Sequence, residues 1–98
     1  MFEKLTLTVK FIGAFRRISG KTQLTLQFKK GASIQDLVNQ LNQQMPELRG
    51  TFCDADLNEP HSNSLILVNS KEISILNGYE TKLNDGDEVV FVPVVHGG

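Results

Sequence analysis

Ninety-eight residues, 40% of them apolar, are enough for one domain around one hydrophobic core. A single cysteine excludes a disulfide framework and a multi-cysteine zinc site, and the apolar runs, a few residues each, are too short to span a membrane. A formal net charge of −1 argues against a general nucleic-acid binder, whose affinity comes from clustered lysine and arginine facing phosphates.

From the N-terminus, Leu5, Leu7, Val9 and Phe11 alternate with Lys4, Thr6, Thr8 and Lys10, the period of a strand with one buried face. The stretch from Gly13 to Gly20, with Arg16-Arg17 and Ser19-Gly20, breaks that pattern and reads as a long loop. Leu24, Leu26 and Phe28 then alternate again, predicting a hairpin. Ser33 followed by Asp36 resembles a capping box, and Ile34, Leu37, Val38, Leu41 and Met45 recur at helical spacing. Pro46 should end that helix near Gln44 or Met45, with a short helical turn over Pro46 to Arg49. Residues 49–64 read as a loop.

Ser64 to Val68 is near-continuously apolar and predicts a central strand covered on at least one face. Asn69-Ser70 signals a turn, with a short return strand over Lys71 to Ser74. Ile75 to Leu83 is expected to be irregular, and Asn84-Asp85-Gly86-Asp87 is a turn. Glu88 to Val92 is the last strand, and Pro93 cannot donate to a sheet ladder. One helix with four or five strands is an α+β domain in which the helix packs on one face of a mixed sheet. With a hairpin first and a helical crossover after it, this is the order of a β-grasp, or ubiquitin-like, fold. The β-grasp domain is expected over residues 1–92, with a flexible tail over residues 93–98.

Charge divides along the chain. Residues 1–50 hold eight Lys/Arg and three Asp/Glu, and residues 51–98 hold two and eight. Either the surface is bipolar, or the halves interleave and their charges mix. Met1-Phe2-Glu3-Lys4 lacks the pattern of a secretory signal and free Cys53 suits a reducing compartment, so a cytoplasmic protein is expected.

Enzymatic equipment is sparse. There is no Gly-Lys-Ser/Thr triplet for a phosphate-binding loop, and His61 and His96 have no metal-site spacing. Cys53 has no local nucleophile signature. Asp54, Asp56 and Asn58 open like a calcium loop, but Glu59 stands at the turn glycine and Leu65 at the bidentate position, so a solvated acidic loop is the better reading. Arg16 and Arg17 can grip an anion or a partner carboxylate, or simply be solvated.

The informative segment is Pro93-Val94-Val95-His96-Gly97-Gly98. Six extended residues reach at most about 20 Å. Gly97 and Gly98 lack a Cβ and can enter a channel too narrow for other residues. A carboxylate at Gly98 is a poor electrophile until it is adenylated, after which sulfur or an amine can replace AMP. A frayed terminus that happens to end in glycines is the plainer alternative.

These residues resemble the MoaD/ThiS family of sulfur carriers, most of all the small subunits of molybdopterin synthase. Leu67-Val68-Asn69-Ser70, Leu83 to Val89, Phe91-Val92-Pro93 and Gly97-Gly98 follow its closing pattern. Val9-Lys10-Phe11, Arg16-Arg17 and Gly20 match its first hairpin, and Gly31 to Leu37 match the entry to its helix. Two departures stand out: Val94 where the family often has a second proline, and His96 where it often has a small residue. The long Thr51 to Ser64 segment speaks against the shorter thiazole-pathway carrier.

The resemblance implies a chain with no activity and no bound cofactor of its own. A ubiquitin-activating-type adenylating enzyme would use ATP and magnesium on Gly98, and a sulfurtransferase would supply sulfur for a thiocarboxylate. The large subunit of molybdopterin synthase would take the tail Pro93, Val94, Val95, His96 and Gly97 into its pocket. Sulfur would then pass to cyclic pyranopterin monophosphate, building the dithiolene that binds molybdenum or tungsten. Neither nucleic acid nor membrane is an expected partner. The sheet face near Phe91, with Val68, is either docking surface or core. Two other readings stay open: a ubiquitin-like modifier or carrier for another pathway (thiazole or tRNA thiolation) using the same glycine, and a β-grasp binding module whose tail does no covalent chemistry.

Overall fold

The computed structural model describes residues 3–48 and 64–93. The elements are β1 (Lys4–Phe11), α1 (Ala14–Ser19), β2 (Gln23–Lys29), α2 (Ile34–Gln44), β3 (Ser64–Val68), β4 (Lys71–Glu72) and β5 (Glu88–Pro93), with 3₁₀ turns at Pro46–Leu48, Ile73–Ile75 and Gly78–Glu80. The sheet order is β2-β1-β5-β3-β4. β1 runs antiparallel to β2 and parallel to β5, and β5 runs antiparallel to β3. A mixed five-stranded sheet with one main helix is the β-grasp arrangement.

The alternation in β1 has the expected cause. Leu5, Leu7, Val9 and Phe11 are buried, and the threonines and lysines between them face outward. α2 starts on a complete capping box. The Ser33 hydroxyl accepts from the Asp36 amide at 3.3 Å, and the Asp36 carboxylate accepts from the Ser33 amide at 2.9 Å. Ile34, Leu37, Val38 and Leu41 pack from the helix onto β1, β5 and β3. The helix ends at Gln44, before Pro46.

Three features differ from the sequence expectation. Between β1 and β2 the chain makes the short helix α1, not a loop, anchored by buried Phe15 and stopped by Gly20 at φ 73°. Six residues are too few to display a helical period. β3, as expected, is an interior strand covered on one face, paired with β5 and β4, while β5 holds the middle position of the sheet. β4 stops at Glu72 because Ile73 turns inward into the core as a 3₁₀ turn begins. β5 runs one residue beyond Val92, with Pro93 opposite Ser64.

Two turns lock the start of β5. Asn69 and Ser70 both take positive φ (50° and 73°), which suits a two-residue hairpin. The Asn69 side chain donates to Asp87 at 2.8 Å and accepts from the Glu88 amide at 3.0 Å. Asp87, itself buried, also accepts from the Asn84 amide at 2.8 Å.

Charge segregates with topology. β1 and β2 come from the basic half of the chain, and β3, β4 and β5 from the acidic half. The halves meet at the β1–β5 junction, where Lys10 and Glu88 pair at 2.8 Å. The halves also interleave at the sheet margin, where Lys82 donates to the Gly31 carbonyl at 3.2 Å and Asp85 accepts from the Thr6 amide at 2.7 Å.

Candidate functional site

The site grows from the far end of β5. That strand is gripped on both sides, and its last ladder position is Pro93. The Ile12 amide extends the parallel pairing by donating to the Phe91 carbonyl at 3.1 Å. Gly13 follows at φ 60°, ψ −129°, a conformation open to glycine, and a Cβ there would stand 3.1 Å from the Pro93 Cγ. The first turn of α1 thus seats the ring from which the C-terminal segment departs. Replacing Gly13 with alanine should cost about 1–3 kcal/mol through backbone strain and press on Pro93. Urea denaturation measures the first effect, and the NMR shifts of Val92 and Pro93 the second.

Beside this exit lies an apolar strip on the sheet face opposite α2. Register puts Leu65 across from Val92 and Leu67 across from Val90, with Lys10 beside Val90. Leu65 is 42% exposed, and Ile12, just past β1, is 40% exposed. Val90, Val92 and Leu67 are half-buried. The strip reaches the β3–β5 pair next to Pro93, so a partner covering it would receive the departing chain at its edge. The Lys10–Glu88 pair borders it, with both side chains 41% exposed; such a pair contributes about 0–1 kcal/mol to stability.

Phe91 requires a correction. Of the two roles open to it, docking surface or core, the structure gives the core: it is wholly buried, its ring centroid 6.1 Å from that of Phe11, and Val68 is buried with it, so Phe91 is not a partner-binding residue. Their neighbours one step along the strands, Val90, Val92, Leu65 and Leu67, carry the open face. The signal for them was the unbroken apolar run Val89 to Val92, which supplies both faces of a strand. Val94, Val95, His96, Gly97 and Gly98 lie outside the described residues, as do Cys53, His61 and the acidic loop of Asp54, Asp56 and Asn58. Arg16 and Arg17 are exposed in the last turn of α1, and among the described residues neither forms an ion pair.

A profile of the ThiS family matches residues 9–98, from the middle of β1 through the paired glycines. The chain belongs to the ThiS family. Among ThiS-family relatives, small archaeal modifier protein 3 of Haloferax volcanii is 30% identical over 94 residues, covering 96% of this chain and all of that one. The molybdopterin synthase sulfur carrier subunit of Mycobacterium tuberculosis is 30% identical over 95 residues, covering 96% of this chain and 99% of that one. The solution structure of small archaeal modifier protein 1 from Methanosarcina acetivorans superposes with a TM-score of 0.80 at 27% identity, covering 98% of this chain and 99% of that one. The relatives thus include a sulfur carrier subunit of an enzyme and small archaeal modifier proteins, on one β-grasp scaffold.

Proposed function

We propose that this chain is a sulfur carrier whose terminal glycine, Gly98, is adenylated and converted to a thiocarboxylate by partner enzymes. The supporting observation is the family match running through Gly97-Gly98, four and five residues beyond the end of β5 at Pro93. The activating partner joins the Gly98 carboxylate to AMP from ATP and releases pyrophosphate. A nucleophilic sulfur then displaces AMP. ATP and magnesium belong to that partner. The thiocarboxylate passes its sulfur to cyclic pyranopterin monophosphate in the pocket of a large molybdopterin synthase subunit, as the Mycobacterium tuberculosis relative's name suggests. Pro93, Val94, Val95, His96 and Gly97 thread that pocket, and the strip of Leu65, Leu67, Val90 and Val92 docks beside it.

The Haloferax volcanii relative supports a second reading, in which the same adenylate is passed to lysines of other proteins. One experiment separates the two. Intact-protein mass spectrometry after incubation with ATP, an activating enzyme and a sulfur source should show one oxygen of Gly98 replaced by sulfur. Isopeptide-linked ladders in cell extract, with no thiocarboxylate, would reject the carrier reading in favour of the modifier.

Docking has its own test. Leu65→Asp should leave the unfolding midpoint nearly unchanged, because the side chain is already 42% exposed. It should weaken binding to the large subunit roughly tenfold or more, since a charge placed in an apolar interface centre is costly. Titration calorimetry of the two proteins measures it.

A further inference from the structure

The outer edge of β2 lies apart from Pro93 and the apolar strip beside it. β2 is an edge strand of seven residues, and among the described residues nothing pairs with its outer side. The ladder to β1 is bracketed by two hydrogen bonds, Phe11 amide to Thr22 carbonyl at 3.0 Å and Lys30 amide to Glu3 carbonyl at 3.1 Å. Because hydrogen-bonded pairs alternate in an antiparallel ladder, Leu24, Leu26 and Phe28 turn their backbone groups toward β1. Gln23, Thr25 and Gln27 therefore present their N–H and C=O groups outward, where an extended chain could complete them.

The side chains of the strand add specificity. Leu24, Leu26 and Phe28 sit on the core face but are only half-buried, because α2 leaves the margin of the sheet uncovered. At the end of that row Phe28, Lys29, Lys30, Gly31, Ala32 and Asp36 line an open cleft of about 330 Å³. The Asp36 carboxylate there already accepts from the Ser33 amide and hydroxyl, so it adds no free acceptor.

Charge decides the occupant. Residues 21–30 carry Lys21, Lys29 and Lys30 and no acidic residue; the exposed Glu3 pairs with Lys30 at 2.8 Å. A second copy is a poor fit. Antiparallel β2–β2 pairing centred on Thr25 would set Lys21 opposite Lys29, and parallel pairing would set each lysine against itself. Like charges directly opposite destabilise a sheet. The lysines thus guard the edge against self-association and favour a negative partner.

We propose that β2 accepts, as an added strand, an extended segment of another protein with alternating apolar residues and acidic ends. Its backbone pairs with Gln23, Thr25 and Gln27, its apolar side chains cover Leu24, Leu26 and Phe28, and its acidic ends meet Lys21 and Lys29.

The test uses the full chain and a labelled peptide, Glu-Glu-Val-Thr-Ile-Thr-Val-Glu-Glu, with a counterpart in which every Glu is Lys. The acidic peptide should saturate binding below roughly 1 mM, lose affinity as salt rises, and slow amide exchange at Gln23, Thr25 and Gln27. Thr25→Pro removes one outward N–H at a position where an edge strand tolerates proline, and should weaken binding roughly tenfold or more. The double variant Lys21→Glu, Lys29→Glu keeps every backbone group and should also lose the acidic peptide, so the outcome does not depend on the proline variant folding. Absence of saturable binding, equal binding of the Lys-ended peptide, shifts confined to Leu65 and Val92, or slowing of the β2 amides by self-association without peptide would each overturn the proposal.

Discussion

Removing Gly97 and Gly98 is expected to leave a folded domain that can no longer be loaded. Every ladder pair among the described residues lies at or before Pro93, and the truncation touches none of them. Chemically the loss is severe. Two residues of extended chain are about 7 Å of reach, and a displacement of about 1 Å at a reacting centre can already cost roughly a hundredfold in rate. The new terminus would also be His96, whose side chain cannot follow a path shaped for glycine. ATP–pyrophosphate exchange with the activating enzyme should fall by more than about a hundredfold, with the thermal midpoint unchanged. Full biological activity of the truncated chain would refute the carrier and modifier readings together and leave a binding module.

Phe91→Ala should act on the other half of the molecule. The ring is completely buried on the central strand against Phe11. Emptying such a site costs about 3–5 kcal/mol, a large part of the roughly 5–15 kcal/mol that holds a domain of this size. The unfolding midpoint should drop by on the order of tens of degrees, read by circular dichroism. Val90→Ala, one residue earlier and only half-buried, should cost roughly 1 kcal/mol or less. If Phe91 were a docking residue, its variant would keep the midpoint and lose only partner binding. The pair of measurements therefore separates the core face of β5 from its open face.

Much of the fold was legible because side-chain period reports the local surroundings of a strand or helix. Leu5, Leu7, Val9 and Phe11 could satisfy their alternation only by burying one face of a strand, and Ser33 with Asp36 marked the first turn of α2 before any contact was known. α1 was not legible, since a six-residue helix held by the single anchor Phe15 has no periodic signature. Which face of β5 lies open beside Pro93, that of Phe91 or that of Val90 and Val92, was not legible for a related reason. In an unbroken apolar run the period vanishes, and nothing local says which alternate residues face inward.

The amino-acid order alone thus determined the strands, the helix α2, their β-grasp succession and the paired glycines at the end, because each depends on neighbours a few positions apart. Only the tertiary structure decided that β5 lies between β1 and β3, and that Val90 and Val92 face outward while Phe91 is enclosed. Those outcomes rest on pairings such as Thr8 with Glu88, far apart along the chain. They are chosen by the joint packing of the whole core, which no local pattern contains.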